Sequence, residues 1–167
     1  MKISLVMPVR LSFYEGQTKK PSSKFVRAID SFLTQTHKDC ELLIASDGCE
    51  EANKIVKSPK YAKHLKTGLI KLLELPKHEL FTGALRQSAI DIATGDLIGS
   101  LDADDVIMPN HLWNINVAAD LSKFDWFYYN LYRKLDNLNG VEELVNATPD
   151  MDGLCNGNLL WKRNLDV

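Results

Sequence analysis

From Ile3 to Leu121 the sequence alternates short apolar runs with segments whose apolar residues recur at helical spacing. This alternation constrains the fold more than any other feature, because a short apolar run between polar segments is a strand buried on both faces. Ile3-Ser4-Leu5-Val6-Met7 is the first such run, closed by Pro8. Glu41 to Ser46, Leu69 to Leu75 and Leu97 to Leu101 repeat the pattern. Between them, Phe25, Ile29, Phe32 and Leu33 predict a helix over 24–35 with Ser22 or Ser23 as its cap. Further helices are expected over 50–57, 82–93 and 109–121, the last with Pro109 in its first turn. Strands alternating with helices imply a parallel sheet with helices on its faces. The aromatic stretch Trp126 to Tyr132, then Val141 to Val145 and Asn158 to Trp161, predicts further short strands. The expected fold class is α/β: a mostly parallel central sheet flanked by helices, with a small mixed or antiparallel C-terminal portion.

Length and composition narrow the function. At 167 residues the chain suits a single domain spanning 1–167. Apolar residues at 45% and charged residues at 25% are those of a folded soluble domain, not of a disordered one. A net charge of −2 argues against a nucleic-acid partner. No apolar run approaches the ~20 residues of a transmembrane segment, and the N-terminus does not read as a signal peptide. Cys40, Cys49 and Cys155 have no paired spacing. They read as free thiols of a reducing compartment, which makes a cytoplasmic location the expectation.

Ligands of open α/β sheets bind beyond the carboxyl ends of the strands. Pro8-Val9-Arg10 follows the first strand, Asp47-Gly48 the second, and Asp102-Ala103-Asp104-Asp105 the fourth. If the last segment is extended, Asp102 and Asp104 face one side. Two close carboxylates repel unless a cation or proton lies between them, and hard divalent ions favour such oxygen donors. The plain alternative is a solvated acidic turn capping the helix near Pro109. Asp47-Gly48 is ordinary turn chemistry, or an acceptor for a nucleobase N–H. Arg86 is a surface residue paired with Asp91 or Asp96, or a donor fork aimed at the crevice. No Gly-rich phosphate loop is present.

Three blocks together are similar to family 2 glycosyltransferases. Lys2 to Arg10, "KISLVMPVR", resembles their first strand. Phe25 to Glu51 resembles the following stretch, in which a helix with Ser-x-x-x-Gln-Thr leads to a strand and an acidic turn. Thr82 to Leu112 resembles the block in which a Gly-x-x-x-Arg helix precedes Leu-Asp-x-Asp-Asp and a proline. The match covers about 1–113. It departs in having Gln87 in place of a common asparagine, Ala89 in place of a glycine and Cys49 in place of a serine.

The resemblance implies a GT-A (Rossmann-like) fold, with 1–113 as the nucleotide-sugar donor part and 114–167 as an incomplete acceptor-side part. It implies a glycosyltransferase of glycan or polysaccharide biosynthesis. Such an enzyme would use a UDP- or GDP-sugar, Mn²⁺ or Mg²⁺, and a glycan, lipid-linked or other hydroxyl acceptor, and it would invert configuration. Pro8, Val9, Arg10, Asp47, Arg86, Asp102 and Ala103 would bind the nucleotide, and Asp104 with Asp102 the metal. Cys155 to Leu165 resembles the strand that precedes the family's acidic base. The chain ends at Val167 without that motif, so Asp152 is the candidate base. An alternative is a catalytically incomplete nucleotide-sugar-binding module needing a partner or a further C-terminal segment. A nucleotidyltransferase is disfavoured for lack of a Gly-rich basic loop. Aromatic strands near the end are able to pair between copies into a homodimer.

Overall fold

A computed structural model of the chain describes residues 1–11, 21–77, 82–121, 126–128, 131–134, 142–145 and 159–162. The expected alternation is present. Strands β1 (Ile3–Val9), β2 (Cys40–Asp47), β3 (Ile70–Leu75) and β4 (Leu97–Ser100) are mutually parallel. Helices α1 (Pro21–Leu33), α2 (Glu50–Val56), α3 (Ala62–Thr67), α4 (Thr82–Asp91) and α5 (His111–Leu121) lie between and after them. The mixed portion is there too. β5 (Trp126–Tyr128) and β8 (Leu159–Lys162) extend the sheet in the order β3-β2-β1-β4-β8-β5, with β8 antiparallel to both its neighbours. β6 (Leu131–Lys134) and β7 (Glu142–Val145) form a separate antiparallel pair.

Period-two alternation along β1 and β2 divides the core. Ile3, Leu5, Met7, Val9, Leu42 and Ile44 face α1, which supplies Phe25, Ala28, Ile29 and Phe32. Ala52 and Val56 of α2, and Leu112, Ile115 and Ala119 of α5, complete that layer. Val6, Leu43, Ala45 and Ile98 face the other way, onto Leu85 and Ala89 of α4 and Ala93 after it. Ala89 is fully buried there, so the methyl that replaces the family's glycine is absorbed in the helix–sheet contact.

Three sequence expectations change. Pro8 does not end β1, which runs on to Val9 with Pro8 paired to Ala45. Val6 turns its carbonyl toward β4, accepting from the Leu101 N–H at 3.0 Å. Pro8, two residues on, therefore faces its missing N–H to the same side, where the β1–β4 ladder has ended. Second, α1 begins at Pro21, so Ser22 and Ser23 lie in its first turn and do not cap it. The Ser22 hydroxyl donates to Glu51 instead. Third, the run Trp126 to Tyr132 is divided between two sheets rather than forming one strand. α3 was not legible at all: it is short, buries none of its own residues, and stops at Gly68 in the left-handed region.

The amino ends of the strands are held by a buried carboxylate. Glu41 accepts from the Ser4 hydroxyl at 2.7 Å, the Thr94 N–H at 2.6 Å and the Thr94 hydroxyl at 2.8 Å. Lys71 lies at 2.9 Å and Lys2 at 3.4 Å from its other oxygen. Burial pushes the Glu41 pKa up, but these hydrogen bonds outweigh it and bring the group down to about 2. Gly95 donates its N–H to Ser4 at 2.8 Å, and a Cβ there would lie 2.6 Å from the Ser4 nitrogen. β4 can therefore enter the sheet against β1 only through a glycine.

Candidate functional site

The carboxyl ends of β1, β2 and β4 meet on the opposite edge. Val9 pairs with Ser46, so Arg10 and Asp47 emerge as neighbours, with Arg10 Nη1 3.5 Å from Asp47 Oδ2. The Asp47 side chain is buried and that of Arg10 half-exposed. Gly48 turns the chain at φ +56, where an added Cβ would lie 2.7 Å from that of Lys77. Its N–H donates to the Leu75 carbonyl at 2.9 Å, tying the ends of β2 and β3 together.

β4 delivers the second group. Its last residue, Ser100, pairs with Val6, and Asp102 leaves the sheet two residues later. Arg86 on α4 reaches over this end. Its Nη2 lies 2.7 Å from Asp102 Oδ1, Nε donates to Ser100 Oγ at 3.3 Å, and Nη1 donates to Thr82 Oγ1 at 3.1 Å. Arg86 is thus fixed by three partners, and neither Asp91 nor Asp96 is its ion-pair partner.

The acid run is a turn, as in the plain alternative, and not an extended segment. The Asp105 N–H donates to the Asp102 carbonyl at 3.0 Å, which closes a turn through Ala103 and Asp104. Ala103 packs against the main core, Asp102 is directed to Arg86, and Asp104 is exposed. The turn does not cap α5, which starts at His111. Asp105 was not singled out from sequence, yet its environment is the most perturbed of the run. Asp105 is open to solvent on one side, but desolvation by the protein atoms around it, then the charges of Asp102 and Asp104, raise its pKa to about 6, with Lys24 and Arg27 of α1 acting the other way.

This edge offers two fixed cation–carboxylate pairs, a buried acceptor at Asp47 and an exposed acidic turn. Such a set suits a ligand with a hydrogen-bonding base and a phosphate-bearing tail. The sequence model of glycosyl transferase family 2 matches residues 18–142. The chain belongs to this family. No curated protein matches the sequence. Among solved structures, S. aureus TarS 1-349 in complex with UDP superposes with a TM-score of 0.68 at 15% identity, covering 98% of this chain and 47% of that one. The same protein with UDP-GlcNAc gives 0.66 at 16% identity, covering 98% and 46%. The mannosyltransferase PcManGT from Pyrobaculum calidifontis, with GDP-Man and Mn²⁺, gives 0.63 at 16% identity, covering 96% and 44%. These likenesses establish the GT-A fold. The family 2 chain spans about half the length of these structures.

Of the residues singled out from sequence, Arg10 with Asp47 and Arg86 with Asp102 are brought together in pairs. Pro8 and Val9 are buried in β1, and the Val9 side chain belongs to the core, so either would meet a ligand through its backbone. Asp152 lies outside the described residues. Among the described residues no three His, Cys, Asp or Glu side chains form a metal cage of their own. An Mg²⁺ or Mn²⁺ that completes its shell with phosphate oxygens needs only one or two carboxylates. The exposed Asp104 and the second oxygen of Asp102 meet that requirement in charge and donor type.

Proposed function

We propose that this family 2 protein takes a UDP- or GDP-sugar at the carboxyl edge of its sheet and transfers the sugar to a hydroxyl acceptor, with inversion. The observation that carries the proposal is the meeting of Arg10–Asp47 and Arg86–Asp102 at the ends of three adjacent strands. Asp47 accepts an N–H of the base, held in place by Arg10. The backbone at Pro8 and Val9 walls the nucleotide, with Ala103 beside it. Arg86 orients Asp102 toward the ribose and the metal.

Asp104, with Asp102, would hold Mn²⁺ or Mg²⁺ against the diphosphate, and that ion supplies neutralisation of the charge growing on the leaving group. A carboxylate base takes the acceptor's hydroxyl proton as its oxygen attacks the anomeric carbon from the side opposite the diphosphate. Asp152 is the candidate within this chain. We assign the donor part to 1–113 and the acceptor side to 114–167. The acceptor is a glycan, a lipid-linked sugar or another hydroxyl compound, and no nucleic acid takes part. Among the described residues no helix is long and apolar enough to cross a membrane.

Incubation with UDP- and GDP-sugars and Mn²⁺, followed by product analysis at the anomeric centre, tests the proposal. Turnover of one donor to an inverted product is expected, and Asp104→Asn should lower it by about 100-fold or more, at or beyond the roughly 10–100-fold cost of losing a group that only supports a metal ligand. Full activity of Asp104→Asn would refute the metal assignment. A second reading is a nucleotide-sugar-binding module that turns over only with a partner or further segment. Its support is that the chain spans about half of the structures it resembles. It predicts donor binding with no product from any donor.

A further inference from the structure

The acid run is suspended between two anchors. Its start is fixed by Arg86 on Asp102 and by the Leu101 N–H on the Val6 carbonyl. Its far end is fixed by side chains some seventy residues earlier, at the end of α1. Gln35 is buried, and its Nε2 donates to the Met108 carbonyl at 2.8 Å while its Oε1 accepts from the Leu112 N–H at 3.0 Å. The Ser31 hydroxyl accepts from the Ile107 N–H at 3.3 Å. The Thr36 N–H donates to the Pro109 carbonyl at 2.9 Å, and its hydroxyl meets Asn110 at 3.1 Å. The segment so gripped begins two residues after Asp105.

We infer that Ser31, Gln35 and Thr36 are positioning residues of the donor site, forming a latch that sets the acid run for the metal-bound diphosphate. This inference rests on the proposed donor reading and adds to it residues that touch neither ligand. Gln35 suits the task because an amide is donor and acceptor at once. A carboxylate at the same place would face the Met108 and Ser31 carbonyls with no proton to give, and a thioether would satisfy neither neighbour. A buried backbone N–H or carbonyl left unpaired is costly, so the 107–112 segment has a strong reason to hold this one arrangement. Supports of this kind behind a metal ligand typically change metal affinity by roughly 10–100-fold.

The test measures UDP and GDP affinity with and without Mn²⁺, by calorimetry, in the full chain well below its melting temperature. Gln35→Met keeps the volume and loses both hydrogen-bonding functions. Ser31→Ala is the milder second variant and leaves the Ile107 N–H unpartnered. Thr94→Val, which loosens Glu41 at the opposite edge of the sheet, is the control for general destabilisation. The latch predicts that Gln35→Met and Ser31→Ala reduce the Mn²⁺-dependent gain in affinity, Gln35→Met by about 10-fold or more. Their metal-free affinities should stay within about 2-fold of the parent, and amide exchange should quicken at Ile107 and Leu112. Thr94→Val should leave the gain intact. An undiminished gain in both latch variants would overturn the inference while leaving the donor reading standing. A parent protein with no Mn²⁺-dependent gain would overturn the donor reading, and the inference with it.

Discussion

Arg86 and Glu41 show how differently a charged residue can be used at the two edges of one sheet. Arg86 spans Thr82, Ser100 and Asp102, so its charge is fixed by geometry at the edge where the strands end. We expect Arg86→Met to release Asp102 and weaken nucleoside-diphosphate binding by about 10-fold, on the scale of a lost charge-assisted hydrogen bond. Titration by calorimetry checks this, and unchanged binding would show that Arg86 only ties α4 to the end of β4. Glu41 is a structural charge. Its folded pKa of about 2 lies below the ordinary value of 4.5, so its stabilisation is fully present above pH 4.5. That stabilisation fades as the pH falls toward 2, a loss on the order of 3 kcal/mol. Glu41→Gln should be less stable than the parent at neutral pH. The gap between the two should close in denaturant titrations taken from pH 5 to pH 2. A constant gap over that range would mean that the hydrogen bonds to Glu41 matter and its charge does not.

At the scale of elements, the strands were the legible part, and the reason is physical. A strand buried on both faces must be mostly apolar, and β1, β2 and β4 are, with Ser4, Glu41, Ser46, Asp47 and Ser100 as their buried polar residues. The helices α1 and α4 were read with boundaries off by about three residues at most, because capping chemistry is local and Ser22 found a tertiary partner in Glu51. α3 leaves no apolar periodicity in the sequence because it contributes no buried residue of its own, while the neighbouring Tyr61 is buried and donates its hydroxyl to Asp30 at 3.0 Å. After the fourth strand the sequence is compatible with an extended segment or an acidic turn, and the Asp105 to Asp102 hydrogen bond makes it a turn. Likewise Gln35 carried no sign of its partners at Met108 and Leu112 beyond its place in a family segment. The turn after β2 was read correctly as Asp-Gly. Gly48→Ala should cost about 1–3 kcal/mol, because its φ is +56 and the new methyl would meet Lys77 at 2.7 Å. Thermal denaturation measures this, and an unchanged melting temperature would show that the β2–β3 corner relaxes freely.

For the whole molecule, the GT-A sheet order explains why residues far apart in sequence reach one edge. β1 sits between β2 and β4, so residues 10, 47 and 102 are adjacent in space although the chain passes through four helices between the first and the last. The sheet's amino edge is closed by Glu41 and Gly95, and its carboxyl edge is left polar and open to solvent at Asp104. In the proposed function this carboxyl edge binds a nucleoside diphosphate through a divalent ion held at Asp104. Ligand that binds only the native state raises the melting temperature in step with its affinity. The direct measurement is thermal denaturation with UDP or GDP, each with and without Mn²⁺, for the parent and for Asp104→Asn. One of the two nucleotides with Mn²⁺ should raise the melting temperature by more than nucleotide and ion do separately, and Asp104→Asn should abolish the excess. No excess for either nucleotide, or an excess that survives Asp104→Asn, would contradict the proposed function.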